Sequence, residues 1–123
     1  MIIDFIHLAQ RLEGLIIHAT MIDTDQFTEL ALSFPNTIAA PHFDRTAFKV
    51  VKKRIFATLD VASNTANLKL STVDQSVYCL INKELIYPVK NKWGLQGWTT
   101  FELLKIDVEL MRDALKAAYK EAN

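Results

Sequence analysis

The sequence predicts an α+β fold, a two-layer sandwich of one antiparallel sheet with helices on one face. Three observations lead there. Stretches of period-two hydrophobicity in the middle of the chain are joined by short polar turns, the mark of a meander. Stretches with helical apolar spacing flank and interrupt them. Half of the 123 residues are hydrophobic, enough to bury one core in a length that suits one domain.

The elements follow in order. In residues 1–20, Ile2, Phe5, Ile6, Ala9, Leu12, Leu15, Ile16 and Ala19 keep helical spacing, opposite Asp4, His7, Arg11 and His18. This reads as an amphipathic N-terminal extension and not as a signal peptide, because no basic start precedes it and polar residues interrupt it. Met21 could itself initiate translation, so residues 21–123 read as the domain proper. Asp23 or Thr24 can cap the next helix, with Gln26 placed for a capping box. Phe27, Leu30, Ala31 and Phe34 form its apolar stripe, and Pro35-Asn36 ends it.

Pro41 to Asp44 reads as a loop. Three strands follow: Arg45–Val51, with Phe48 and Val50 facing one way; Arg54–Asp60, with Ile55, Ala57 and Leu59 together; and Ala66, Leu68, Leu70 alternating with polar residues. Lys52-Lys53 and Ser63-Asn64-Thr65 make the turns. Ser71 caps a helix whose stripe is Val73, Val77, Leu80 and Ile81. Leu85–Val89 and Trp98–Leu104 are two further strands, and Asp107 caps a last helix carrying Val108, Met111, Leu115 and Ala118 on one side. The expected order is thus α-β(3)-α-β(2)-α, plus the extra N-terminal helix.

Net charge is zero but unevenly placed. Between Arg45 and Lys92 nine basic residues stand against three acidic ones, a surplus of six. The flanking segments carry the opposite surplus. A basic middle points to an anionic partner; the plainer reading is a solvated sheet with Lys at its edges and turns. The segment Tyr87–Thr100 collects two of the three glycines, Gly94 and Gly97, both tryptophans, and Lys90 and Lys92. Such a loop either presents flat aromatic surface and charge to a partner or plugs the core with its indoles. Trp98 is expected on the face with Thr100 and Glu102, away from Phe101 and Leu103, leaving at least one indole exposed, with the two glycines letting the loop close on a bound partner.

The sequence offers no chemistry to an enzyme. It has no GxGxxG, P-loop, HExxH, GxSxG or CxxC pattern, and three scattered histidines with one cysteine make no metal site. We expect no catalytic residue, no cofactor and no metal. Cys79 reads as a small buried hydrophobe, and His42 with Asp44 as a structural hydrogen bond. One cysteine excludes an internal disulfide framework and fits a reducing, cytoplasmic compartment. No apolar run is long enough to cross a membrane.

From about Asp23 to Tyr119 the chain resembles the MmcQ/YjbR family. The resemblance is carried by Leu32-Ser33-Phe34-Pro35, Pro41-His42-Phe43, Ala47-Phe48-Lys49-Val50, Ile55-Phe56-Ala57-Thr58-Leu59, Asn67-Leu68-Lys69-Leu70-Ser71 and Trp98 with its strand. The stretch Tyr87–Thr100 is most similar to a bacterial branch with a Pro-x-x-Asn-Lys-Trp-Gly loop. The resemblance implies a fold like that of the type III secretion chaperones and a "double wing" DNA-binding role, with no catalytic residues; residues 1–20 have no counterpart in it. The expected function is a non-enzymatic, weak and sequence-tolerant DNA-binding module. Arg45, Lys49, Lys52, Lys53, Arg54, Lys69, Lys90 and Lys92 would meet phosphates, and Trp93 or Trp98 would stack on a base or wedge a groove. The alternative is a protein- or small-ligand-binding adaptor, favoured by overall neutrality. The expected state is a monomer or weak dimer.

Overall fold

The structure, a computed structural model, describes residues 20–123. The helix expected over residues 1–20 lies outside the described residues, Thr20 apart. The described elements are α1 (Thr24–Leu32), β1 (Thr37–His42), β2 (Arg45–Val50), β3 (Ile55–Asp60), β4 (Thr65–Lys69), α2 (Thr72–Cys79), β5 (Ile86–Pro88), α3 (Lys92–Leu95), β6 (Trp98–Glu102) and α4 (Val108–Ala122), with a 3₁₀ turn at Leu103–Lys105 before α4. The six strands form one antiparallel sheet in the order β1-β2-β3-β4-β6-β5.

The helix starts are written in the sequence and are kept. Asp23 accepts from the Gln26 N–H at 2.8 Å while the Gln26 side chain accepts from the Asp23 N–H at 3.0 Å, a complete capping box. Ser71 caps α2 through the Asp74 N–H, and Asp107 caps α4 through the Glu109 N–H. All three long helices lie on one face of the sheet. Ring contacts place them: Phe27 of α1 meets Phe48 of β2 edge-on at 5.7 Å, and Tyr78 of α2 meets Phe101 of β6 at 6.2 Å. Tyr119 of α4 stacks on Phe34 at 4.8 Å and meets Phe56 edge-on. Phe27, Phe48, Phe56, Tyr78 and Phe101, with Leu59, Leu68, Leu70, Leu103, Met111 and Leu115, form one dry core, and Phe34 and Tyr119 pack half-buried against it. Truncating any of the fully buried phenylalanines to Ala costs about 3–5 kcal/mol.

Three expectations are corrected. The meander has four strands, because residues 37–42, expected to end in a loop at Pro41, form β1. β1 is an edge strand, half-buried only at Thr37 and exposed from Ile38 to His42, so no inside-outside alternation marks it. Its alanines and proline are also poor strand formers, and Pro41 is tolerated because its nitrogen points away from β2. Second, β3 does not alternate through its whole length. The pairing with β2 steps from Phe48↔Ala57 to Lys49↔Ile55, leaving Phe56 as a bulge. Phe56 and Ala57 both enter the core, and Ile55 is turned to the opposite face, half-buried, instead of lying with Ala57 and Leu59. Third, α2 is rotated relative to the expected stripe. Tyr78 is its buried residue, whereas Val73 and Leu80 are exposed, and α2 ends at Cys79, before Ile81. Cys79 itself is half-buried, and burial raises its thiol pKa.

Candidate nucleic-acid interface

The sheet's topology sorts the expected binding residues by end. The β2–β3 turn, the last residue of β4 and the β5–β6 connection all lie at the same end of the sheet. That end collects Lys49, Lys52, Lys53, Arg54, Lys69, Lys90 and Lys92, with Trp93 and Trp98. The two hairpins β2–β3 and β5–β6 stand on either side of β4, about 14 Å apart at the usual strand spacing. The far end holds the Phe43-Asp44 turn, the Val61–Asn64 turn and the end of β6.

Arg45 is not brought to the basic end. It begins β2, about 16 Å along the strand from the β2–β3 turn. Its Nε donates to Thr58 Oγ1 at 2.9 Å and its guanidinium lies 3.7 Å from the Asp60 carboxylate. A hydrogen bond from the Ser63 side chain holds the Asp60 carboxyl below its ordinary value, against some desolvation, with backbone N–H groups and the Arg45 charge acting in the same direction as Ser63. Arg45 is therefore occupied within the fold. Lys49, Lys52, Lys53, Arg54 and Lys90 make no side-chain hydrogen bond or ion pair among the described residues, so their charges are free for an outside anion.

The β2–β3 turn is tight: the Lys53 N–H donates to Val50 O at 2.8 Å. It holds Lys52 at φ 64°, a left-handed conformation disfavoured for a residue with a Cβ. Lys52, Lys53 and Arg54 line an open cleft with Glu121, Ala122 and Asn123 at the end of α4. The exposed carbonyls at a helix C-terminus favour cations there.

The β5–β6 loop is built by its two glycines in a way the sequence did not show. A Cβ on Gly94 would lie 1.9 Å from Val89 O, and one on Gly97 1.9 Å from Leu70 O, where the backbone also takes φ 106°. The glycines thus let the loop pack directly on the backbone at Val89 and at Leu70. Gln75 of α2 pins it, its amide nitrogen lying 2.9 Å from Gly94 O, 3.2 Å from Trp98 O and 3.1 Å from Thr99 Oγ1. No local pattern marks Gln75, which is 19 residues from Gly94 in the chain. Held this way, Trp93 is 50% exposed, with Lys92 Nζ 5.5 Å from its ring centroid. Trp98 is half-buried on the face with Thr100 and Glu102, as its register predicts, and stands opposite Lys69 across β4 and β6.

The sheet face away from the helices is a polar ladder. Thr100 donates to Asn67 at 2.8 Å, and Tyr87 donates to the Glu102 carboxylate. That bond, with burial and the Glu102 charge, pushes the Tyr87 phenol up to about 12. His42 packs edge-on against Phe43 at 5.0 Å, and no hydrogen bond joins it to Asp44. Among the described residues no cluster of His, Cys, Asp and Glu could hold a metal ion, and no helix is long and apolar enough to cross a membrane.

The arrangement defines a class: a small two-layer α+β domain with a basic sheet end. The fold is similar to that of the Deinococcus radiodurans protein DR2400, which carries the domain DUF419, with a TM-score of 0.68 over 80% of this chain and 77% of that one at 22% identity. At that identity the likeness shows the fold. No family model matches the sequence, and no curated protein matches it.

Proposed function

We propose that this protein is a non-enzymatic nucleic-acid-binding module of the MmcQ/YjbR type, with the two basic hairpins as wings. The observation that carries the reading is the gathering of seven cations from separate segments at one end of the sheet, five of them without an internal partner. The likeness to a DUF419 protein and the residues that resemble the MmcQ/YjbR family support it. Lys and Arg at the two hairpins neutralise phosphates, and the exposed Trp93 ring stacks on an unpaired base or wedges a groove. The Lys and Arg of the two hairpin turns are exposed and serve as phosphate contacts, which carry no sequence information, so binding is sequence-tolerant.

The test is fluorescence anisotropy with labelled duplex and single-stranded DNA of random sequence over a salt series. With about four or five phosphates neutralised, log K should fall against log salt with a slope of about −4 on duplex. Absence of binding at low salt and micromolar protein overturns the reading and leaves the adaptor alternative.

A further inference from the structure

We propose that the outer edge of β1 is a self-association site, pairing two copies of this chain through antiparallel strands. β1 is six residues long and, among the described residues, no strand pairs with its outer side. The opposite sheet edge is different: β5 has three residues and ends in Pro88, too short and too blunt to extend. Native edge strands of this length are usually guarded by charge or proline; Thr37-Ile38-Ala39-Ala40-Pro41-His42 carries no Lys, Arg, Asp or Glu, and its one guard, Pro41, stands near the end of the strand. Ile38 is 48% exposed on it.

The backbone decides which partner fits and in which register. The Phe43-Asp44 turn closes on the His42↔Arg45 pair, and the Val51 N–H donates to Asn36 O at 2.8 Å. Even-numbered residues of β1 therefore bond to β2, and Thr37, Ala39 and Pro41 turn their backbone groups outward. Pro41 has no N–H to give. A register centred on Ala40 pairs Ala39 with Pro41 and loses donors. One centred on Ala39 keeps four bonds but leaves the Thr37 carbonyls facing Pro41 and sets each Ile38 against Ala40 instead of against its copy. A two-fold centred on Ile38 sets Thr37 of one copy against Ala39 of the other, twice. Both residues have both groups, so all four N–H···O bonds form, and the two Ile38 side chains meet in the close, non-bonded pair position. The strand is its own complement in this register, and β1 itself carries no charge to oppose the approach of a copy. A two-fold of this kind reverses the strands, so the two basic ends point in opposite directions and each stays open to nucleic acid. The site is thus independent of the proposed function.

Sedimentation velocity on the full chain over a dilution series tests the proposal, with DNA absent. A dimer should accumulate as concentration rises. Ile38→Lys should weaken it at least tenfold while the melting temperature of the monomer is kept. Ala39→Pro provides a second variant, since it removes an outward N–H and leaves the β1–β2 ladder intact. In a Cys79→Ser background, Ile38→Cys should oxidise to a cross-linked dimer faster than Ala40→Cys, because a non-bonded antiparallel pair has the Cα separation a disulfide needs. A protein that stays monomeric up to millimolar concentration overturns the proposal, as does a dimer that persists in both Ile38→Lys and Ala39→Pro. Faster oxidation of Ala40→Cys than of Ile38→Cys overturns the register.

Discussion

The two ends of the sheet use arginine and lysine in opposite ways. At the far end Arg45 is tied to Thr58 and Asp60 and its charge is spent inside the fold. At the basic end Lys52, Lys53, Arg54 and Lys90 have no such partner. Each end also has a hairpin tip that strains a residue with a side chain: Lys52 at φ 64° on one, Phe43 at φ 59° and 94% exposed on the other. The difference teaches that a surplus of basic residues along a sequence says little until the counter-charges are located. A residue whose charge is already matched stabilises the fold; one left unmatched keeps its attraction for an outside anion.

The largest way to break the comparison is to dismantle the basic end without touching its charge. Gly97→Ala forces a Cβ to within 1.9 Å of Leu70 O at φ 106°. It should destabilise by about 2–4 kcal/mol. A drop in Tm of roughly 10 °C is expected for a domain of this size. A variant that melts like the parent would mean that the loop does not need this close approach.

Charge removal should separate the ends more cleanly. Replacing Lys52, Lys53 and Arg54 by Ala should reduce the salt slope of DNA binding by about two units and leave Tm nearly unchanged. Arg45→Ala should do the reverse: stability falls by about 1–2 kcal/mol through lost bonds to Thr58 and Asp60, while DNA affinity moves less than about twofold. Lys52→Gly sharpens the point, since relieving the left-handed strain should raise stability by up to about 1 kcal/mol while binding weakens. Equal losses of binding from Arg45→Ala and from the triple variant would erase the distinction between the ends.

The tryptophans give a smaller contrast within the basic end. Acrylamide should quench Trp93, 50% exposed, more readily than the half-buried Trp98, measured in the Trp98→Phe and Trp93→Phe variants. Trp93→Ala should cost about 1–3 kcal/mol of affinity for single-stranded DNA if the indole stacks on a base. An unchanged affinity would confine the interface to the cations.

The smallest expected effect belongs to Asp60 at the far end. Its carboxyl pKa is lowered in the folded protein, so the fold favours the ionised form. The stabilisation is present above the ordinary value of 3.8 and fades as pH falls through the lowered one. In urea unfolding, Asp60→Asn should therefore sit slightly below the parent at neutral pH and converge with it at the acid limit. A gap that stays constant down to that limit would assign the Asp60 effect to packing.

Much of the fold was legible because it depends on local chemistry. The caps at Asp23, Ser71 and Asp107 are settled by side chains bonding backbone groups two or three residues away. The alternation of Ala66, Leu68 and Leu70, and of Thr99, Phe101 and Leu103, reports one buried sheet face directly. The side on which Trp98 stands follows from the same period of two. β1 escaped because an edge strand exposed on both faces has no period to read, and Phe56 reached the core only through a bulge set by its pairing with β2.

The sequence by itself determined where helices begin, which strands have a dry face, and that the middle of the chain carries surplus positive charge. Only the tertiary structure decided which of those charges are free. Arg45 found Asp60 and Thr58 across neighbouring strand positions, while the cations of two hairpins distant in the chain were set down at one end. It also decided that Gly94 and Gly97 serve contacts with Val89 and Leu70. The physical reason is common to all of these. Capping and alternation are fixed within a few residues of chain, whereas pairing of charges and close approach of backbones are fixed by strand order and register, which join residues far apart in sequence.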